Sequence, residues 1–188
     1  MKIHSQNKGF TLVETLVAIA IFATSVTGLI SITARGINDN VFVKNKIIAS
    51  YLSQEGLELV RNMRDTSILP ENAVTWQEFL TDSNNWVGNC YDNLPGVNAC
   101  YIDGAAGELV ADECVDGDCQ QPLGFDTSSS RYTYLTIDNS IFTRTITIRP
   151  IALGNNEEAV VNSVVTWTQG ENIHRVSYQY NLFNWFSS

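Results

Sequence analysis

Apolar residues run almost without interruption from Phe10 to Ala34, near the start of the chain. This stretch of 25 residues contains one ionisable side chain, that of Glu14, and its remaining polar side chains are those of threonine and serine. A helix needs about 20 apolar residues to cross a bilayer, whereas a helix of a soluble core carries a polar face. The pattern therefore predicts an apolar, membrane-spanning helix over residues 10–35.

The helical period continues beyond this stretch with a different character. From Ile37 to Met63, polar residues separate apolar ones that recur at multiples of three to four positions; the stripe is formed by Val41, Ile48, Leu52, Leu59 and Met63, widened by Ile47, Tyr51 and Val60. This spacing is typical of an amphipathic helix. We therefore expect one helix that is apolar all round at first and amphipathic over residues 36–65, and that ends before Pro70.

Periodicity is lost between residues 66 and 130, where Asn, Asp and Gly are frequent. Residues 75–80 are expected to form a short helix. We expect the rest of this acidic, cysteine-containing region to be a long connection that cross-links stabilise in place of regular secondary structure.

Residues 131–188 have the composition of β-strands. Four segments are rich in β-branched and aromatic residues, at 132–137, 141–149, 159–169 and 173–183. Short links with turn-forming residues join them, which predicts a four-stranded antiparallel meander. One face of that sheet needs cover, and the amphipathic half of the helix is available for it. The predicted fold class is therefore α+β, with a long N-terminal helix packed on an antiparallel sheet.

Acidic residues dominate the middle of the chain. The formal net charge is −9, and the segment from Asp65 to Asp126 contains twelve Asp and Glu residues but no Lys or Arg. Such a surface repels phosphate backbones, so direct nucleic-acid binding is not expected. Asp112, Asp116 and Asp118 surround Gly117 and raise the alternative of a Ca²⁺ site, although the EF-hand spacing is not met. A solvated acidic surface is the simpler interpretation.

Four cysteines fall within a window of 30 residues: Cys90, Cys100, Cys114 and Cys119. An even number in a short segment outside the cytoplasm is typical of disulfides. Three connectivities are possible, and we favour Cys90–Cys100 with Cys114–Cys119 because both loops are short. The rival is a zinc site, which is disfavoured because the chain has no C-x-x-C pair and neither His4 nor His174 is near in sequence. No cofactor is expected, and no Ser-His-Asp or Cys-His arrangement indicates catalysis.

Nine residues, MKIHSQNKG, precede the apolar stretch, with Lys2 and Lys8 and no acid. Basic residues beside an apolar span keep that flank in the cytoplasm. In a conventional secretory signal a small-residue cleavage site follows the apolar run, but no convincing site follows this one. The sequence KGFTLVE at residues 8–14 instead resembles the processing and methylation signature of type IV prepilins and of the pseudopilins of type II secretion.

The resemblance covers residues 1 to about 64 and implies a pilin-like fold. In that family a membrane aspartyl protease, the prepilin peptidase, cuts after the glycine, here Gly9, and methylates the amine of the new first residue, here Phe10. The carboxylate of Glu14 is implied to pair with that amine, on its own or a neighbouring subunit, and to set the stagger between subunits. The implied protein is a structural filament subunit for adhesion, motility or DNA uptake, and not an enzyme.

Partners and location are also implied. The precursor is expected in the cytoplasmic membrane as a single-pass protein with its head outside. An assembly ATPase and a platform protein would then transfer it into a polymer with other pilin subunits at the cell surface. Two alternatives stay open: a pseudopilin of a type II secretion system, and a membrane-anchored extracellular binding domain in which the motif is accidental. The four cysteines depart from the family's common single pair, which brackets a C-terminal loop.

Overall fold

The computed structural model describes residues 9–67, 69, 74–81, 87–91, 99–104, 110–114, 119–136, 138–151 and 157–184. The chain divides into two compact units, an N-terminal unit (Met1–Lys44) and a head (Asn45–Ser188). One helix, α1 (Leu12–Ser67), contributes residues to both units. Glu14 in its first turn and Arg64 in its last turn complement the helix dipole. A single long N-terminal helix is therefore present, as the periodicity predicts.

Small residues form much of the face that α1 buries in the head. The buried positions are Asn45, Ala49, Leu52, Ser53, Gly56, Leu57, Val60 and Met63. The predicted stripe is correct at Leu52, Val60 and Met63. It is wrong at Tyr51, Ile47 and Val41, which are 69%, 52% and 43% exposed. Hydrophobicity alone identifies the stripe poorly here, because the helix approaches the sheet over side chains that are small enough to fit.

Seven strands form one sheet in the described part of the head: β1 (Cys100–Asp103), β2 (Val110–Glu113), β3 (Pro122–Asp126), β4 (Arg131–Thr133), β5 (Asn139–Pro150), β6 (Glu158–Gln169) and β7 (Asn172–Phe183). Neighbouring strands are antiparallel. β5 pairs with β6 along one edge and with β1 and β3 along the other. β6 and β7 form a hairpin whose turn contains Gly170 at φ 63°, a conformation that glycine adopts readily.

The α+β class is confirmed, but the predicted number of strands is wrong. Strands β5, β6 and β7 form the expected meander. The described residues of the predicted strand 132–137 contribute only to the short β4, which pairs with β3. The predicted loop between residues 66 and 130 contains three of the strands and two short helices, α2 (Trp76–Thr81) and a 3-10 turn (Gly88–Cys90). Strands of four or five residues are too short to show a period, so their partners in the sheet decide their conformation.

The core lies between α1, α2 and the sheet. It joins Leu57, Val60 and Met63 of α1 to Phe79 and Leu80 of α2 and to strand residues Ile102, Ile146, Ile148, Val161 and Leu182. Alternate positions of β5 and β6 are buried, as a sheet with one covered face requires. The middle region thus contributes to the core as well as connecting the helix to the sheet.

Candidate functional site

The predicted processing position lies in a short non-helical segment at the start of the described chain. Gly9, Phe10 and Thr11 precede the first helical residue, Leu12. Phe10 is 81% exposed, and apart from the two residues next to Gly9 no described residue has an atom within 4 Å of the position that a Cβ would take there. The Gly9–Phe10 bond is therefore open to an approaching enzyme in this unit.

Thr11 caps α1. Its Oγ1 accepts a hydrogen bond from the backbone N–H of Glu14 at 3.3 Å, and its carbonyl accepts from the N–H groups of Glu14 and Thr15 at 3.1 and 3.2 Å. A threonine at this position satisfies one of the donors that a helix start otherwise leaves unpaired. Residues 11–14 also have the spacing of a capping box, in which a glutamate three residues after the cap bonds back to the N–H of the cap residue.

The head contains a complete capping box for comparison. At the start of α2, Glu78 Oε2 accepts from Thr75 N at 2.7 Å, and Glu78 N donates to Thr75 Oγ1 at 3.3 Å. In α1 only the second of these bonds is formed, and the Glu14 carboxylate bonds to no described residue. The nearest described basic residue of the N-terminal unit is Arg35, about 30 Å along the helix at about 1.5 Å per residue. The carboxylate is therefore available to a partner from outside the described unit.

The first half of α1 exposes apolar side chains on every side. These include Leu16, Ile19, Phe22, Leu29 and Ile32, each more than 60% exposed. By length and composition this helix could cross a membrane, a test that a signal sequence near an N-terminus also passes. Its hydroxyls bond within the helix: Thr24 and Ser25 both donate to the carbonyl of Ile21, and Ser31 to that of Thr27. Polar side chains that are satisfied in this way are compatible with an apolar environment.

The cysteines form two disulfides in the pairing that short loops favour, Cys90–Cys100 and Cys114–Cys119. Cys90 and Cys100 are fully buried in the main core, and the second pair packs with Ala99. No cysteine is free, and the described residues include no group of metal-ligating side chains, so nothing here supports the zinc alternative. Asp116 and Asp118, which belong to the alternative of a Ca²⁺ site, lie outside the described residues, as do Lys2 and Lys8 of the leader.

Arg144 is a buried charge whose importance the strand pattern does not reveal. Its side chain is 2% exposed; Nη1 donates to the carbonyl of Leu52 and to Glu55 Oε2, both at 3.1 Å, and Nη2 donates to the carbonyl of Ile102 at 2.5 Å. One side chain thus links α1, β1 and β5. The signal was present in the sequence, because Arg144 falls on the apolar face of β5 between Phe142 and Ile146.

Comparison with family models gives one match, to the prokaryotic N-terminal methylation motif, over residues 4–30. No curated protein and no solved structure matches the chain. The matched residues include the exposed Gly9–Phe10 bond, the Thr11 cap, Glu14 and most of the apolar stretch. Residues 4–30 therefore carry the prepilin signature of type IV pilins and pseudopilins, and the chain is pilin-like in its N-terminal segment and in its α+β architecture.

Proposed function

We propose that this chain is a structural subunit of a type IV pilus-like filament, cut after Gly9, methylated at Phe10 and polymerised through the apolar half of α1. The observation that carries the proposal is the methylation motif, placed on an exposed non-helical segment directly before an apolar helix. The signature points to a structural subunit and not to an enzyme. It also implies processing by a prepilin peptidase and assembly with other pilins.

Glu14 has a specific role in this proposal. A carboxylate within an apolar span costs a few kcal/mol unless it has a partner. Cleavage after Gly9 creates a positive amine at Phe10, four residues from Glu14. Since the Glu14 carboxylate bonds to no described residue of its own chain, it can pair with this amine of its own subunit or of a neighbour. In the filament the apolar helices would pack against one another in place of lipid. A Glu14 carboxylate without a partner would then destabilise the assembled state.

The location follows from the same features. Before assembly the subunit lies in the cytoplasmic membrane with its basic leader inside and its disulfide-bonded head outside. An assembly ATPase and a platform protein then move it into the filament. Two disulfides support an extracytoplasmic head, because reducing compartments disfavour such bonds.

Mass spectrometry of the protein isolated from its native host tests the processing step. The expected N-terminus is methylated Phe10, with the nine-residue leader absent. An intact Met1, or cleavage beyond residue 30, would contradict the proposal and favour a membrane-anchored binding domain.

A second experiment tests assembly separately. Glu14→Gln keeps the size of the side chain but removes the charge, so we expect normal cleavage and methylation with loss of incorporation into filaments. Asp39→Asn, which neutralises an exposed acid of the same helix beyond the apolar stretch, is the matched control and should assemble normally. Equal incorporation of both variants would refute the role of Glu14.

Electron microscopy of cells with and without the chain distinguishes a surface pilus from a secretion pseudopilus.

A further inference from the structure

The start of α1 lies two residues beyond the predicted scissile bond, with Phe10 and Thr11 between them. Helical residues begin at Leu12, and Thr11 Oγ1 accepts from Glu14 N at 3.3 Å. In a helix the carbonyl of residue 9 would accept from the N–H of residue 13, and the bond would be held within the first turn. Endopeptidases take peptide backbone whose polar groups are free, and exposed non-helical segments are the preferred sites of cleavage.

We propose that Thr11 is a positioning residue for leader removal: its hydroxyl fixes the start of α1 at Leu12 and thereby keeps Gly9–Phe10 outside the helix. The inference rests on the proposed function, in which this bond is cut. The leader contains residues that also favour helix starts, Ser5 and Asn7. A helix that began at either of them would include the scissile bond. The Thr11 cap shifts the balance towards the later start, relative to a chain that lacks the cap.

The head contains the same T-x-x-E sequence at the start of a second helix. Thr75 and Glu78 have the spacing of Thr11 and Glu14, and the Glu78 N–H donates to the Thr75 hydroxyl at the same 3.3 Å. There α2 begins at Trp76, directly after the threonine. The sequence T-x-x-E therefore begins a helix one residue after its threonine in two unrelated surroundings of one protein.

Cap strength and side-chain shape can be separated at position 11. Thr11→Val keeps the shape but has no acceptor, whereas Thr11→Asn changes the shape and is at least as good a cap. Thr11→Ser keeps the hydroxyl, which caps a helix at least as well as that of threonine, but lacks the methyl group. Thr15→Ala is the matched control, because the Thr15 hydroxyl donates to the carbonyl of Leu12 at 2.9 Å and caps nothing.

The measurement is the initial rate at which purified prepilin peptidase removes the leader from the full-length precursor, both proteins being in the same detergent. Loss of a cap changes a helix equilibrium by about fivefold. We therefore expect Thr11→Val to be cut more slowly at low precursor concentration, by up to about fivefold. Serine, asparagine and the Thr15→Ala control should match the wild type. Because a fraction of the substrate is withheld in the wrong conformation, the change should appear in KM, with kcat near the wild-type value.

The outcomes separate the possible failures. A valine variant that is cut as fast as the wild type would overturn the inference. An asparagine variant as slow as valine would also overturn it, since the peptidase would then read the threonine side chain directly. In both cases the wild type is still processed, and the proposed function stands. A wild-type precursor that is never cut overturns the proposed function and the inference together.

Discussion

Gly56 lies where α1 approaches the sheet most closely, and an alanine there tests how tightly the two layers pack. A Cβ atom at this position would lie 2.8 Å from Ser163 Oγ, 3.0 Å from Arg144 Cδ and 3.2 Å from Ile146 Cδ1. The first distance is shorter than a carbon–oxygen contact, so an atom must move. Arg144 is held by its bonds to α1 and β1, and Ser163 is fully buried, so neither side chain moves freely.

Two opposing effects set the magnitude. Overpacking of a core costs about 1–3 kcal/mol, whereas replacing glycine by alanine inside a helix contributes about 1 kcal/mol of stability. The strain exceeds the helical gain, and we expect Gly56→Ala to lower the free energy of unfolding by about 1 kcal/mol. For a domain of this size that corresponds to a fall in Tm of about 3 °C.

A double-mutant cycle identifies the contact. Ser163→Ala removes the nearest atom, and this single change should cost little because Ser163 Oγ has no hydrogen-bond partner among the described residues. The carbonyl of Ser163, which accepts from Ser53 Oγ at 2.7 Å, is unaffected. In the Ser163→Ala background, Gly56→Ala should become neutral or stabilising, with a coupling energy of about 1 kcal/mol.

Urea unfolding of the full chain in detergent micelles, followed by tryptophan fluorescence, measures the free energy of unfolding of the wild type, the two single variants and the double variant. Trp167, which is 2% exposed, reports on the core. Gly36→Ala is the reference variant, since no atom lies within 4 Å of its Cβ position and no loss is expected. The reasoning is wrong if Gly56→Ala is as stable as the wild type or if the cycle is additive.

Three further predictions concern the head. Arg144→Met removes the donor to two carbonyls, at a cost of about 1–3 kcal/mol for each buried group, so thermal unfolding should show a loss of about 3 kcal/mol. Glu55→Gln should cost less, because Arg144 keeps both carbonyls and Glu55 is 38% exposed, and equal losses would contradict this account. Burial raises the pKa of Tyr180 to about 12 from 10.0. The contribution of neutral Tyr180 to the free energy of unfolding is therefore intact below pH 10 and is lost as the pH rises towards 12. Tyr180→Phe should remove this part of the alkaline fall in Tm, and an unchanged fall would argue against it. Hydrogen bonds from Ser129, and to a smaller extent from Ser128, lower the pKa of Asp126 from 3.8 to about 2. The contribution of ionised Asp126 to stability is therefore present above pH 3.8 and is lost as the pH falls through 2. Asp126→Asn should therefore flatten the dependence of Tm on pH in that range, and an unchanged slope would contradict this account.

The long helix and the last three strands are predictable from the sequence because their signals are long and local. The apolar stretch contains 25 residues, and β5, β6 and β7 contain 12 residues each, so a period of 3.6 or 2 has room to appear. The short strands between residues 100 and 126 give no such signal. Their conformation depends on β5, which lies further along the chain and offers an edge to both β1 and β3.

Tertiary contacts also decide which face α1 presents to the sheet. Ile47 and Tyr51 are more apolar than Ser53 and Gly56, yet they lie outside the contact. Steric fit selects the small residues, because α1 meets strands that follow it by about a hundred positions. The same separation in sequence prevents a prediction of the role of Arg144, because the carbonyl of Leu52 that accepts its hydrogen bond is 92 residues away.

By itself the sequence determines the N-terminal motif, the apolar helix and the class of fold, since each is encoded in neighbouring residues. It also identifies Gly9, Phe10 and Glu14 as the residues to test. The T-x-x-E spacing of residues 11–14 is equally local, and the structure adds the hydrogen bond by which Thr11 caps the start of the helix. Only the tertiary structure places strands of the middle region in the sheet and buries Arg144, because these features arise from contacts between distant segments and not from any local pattern.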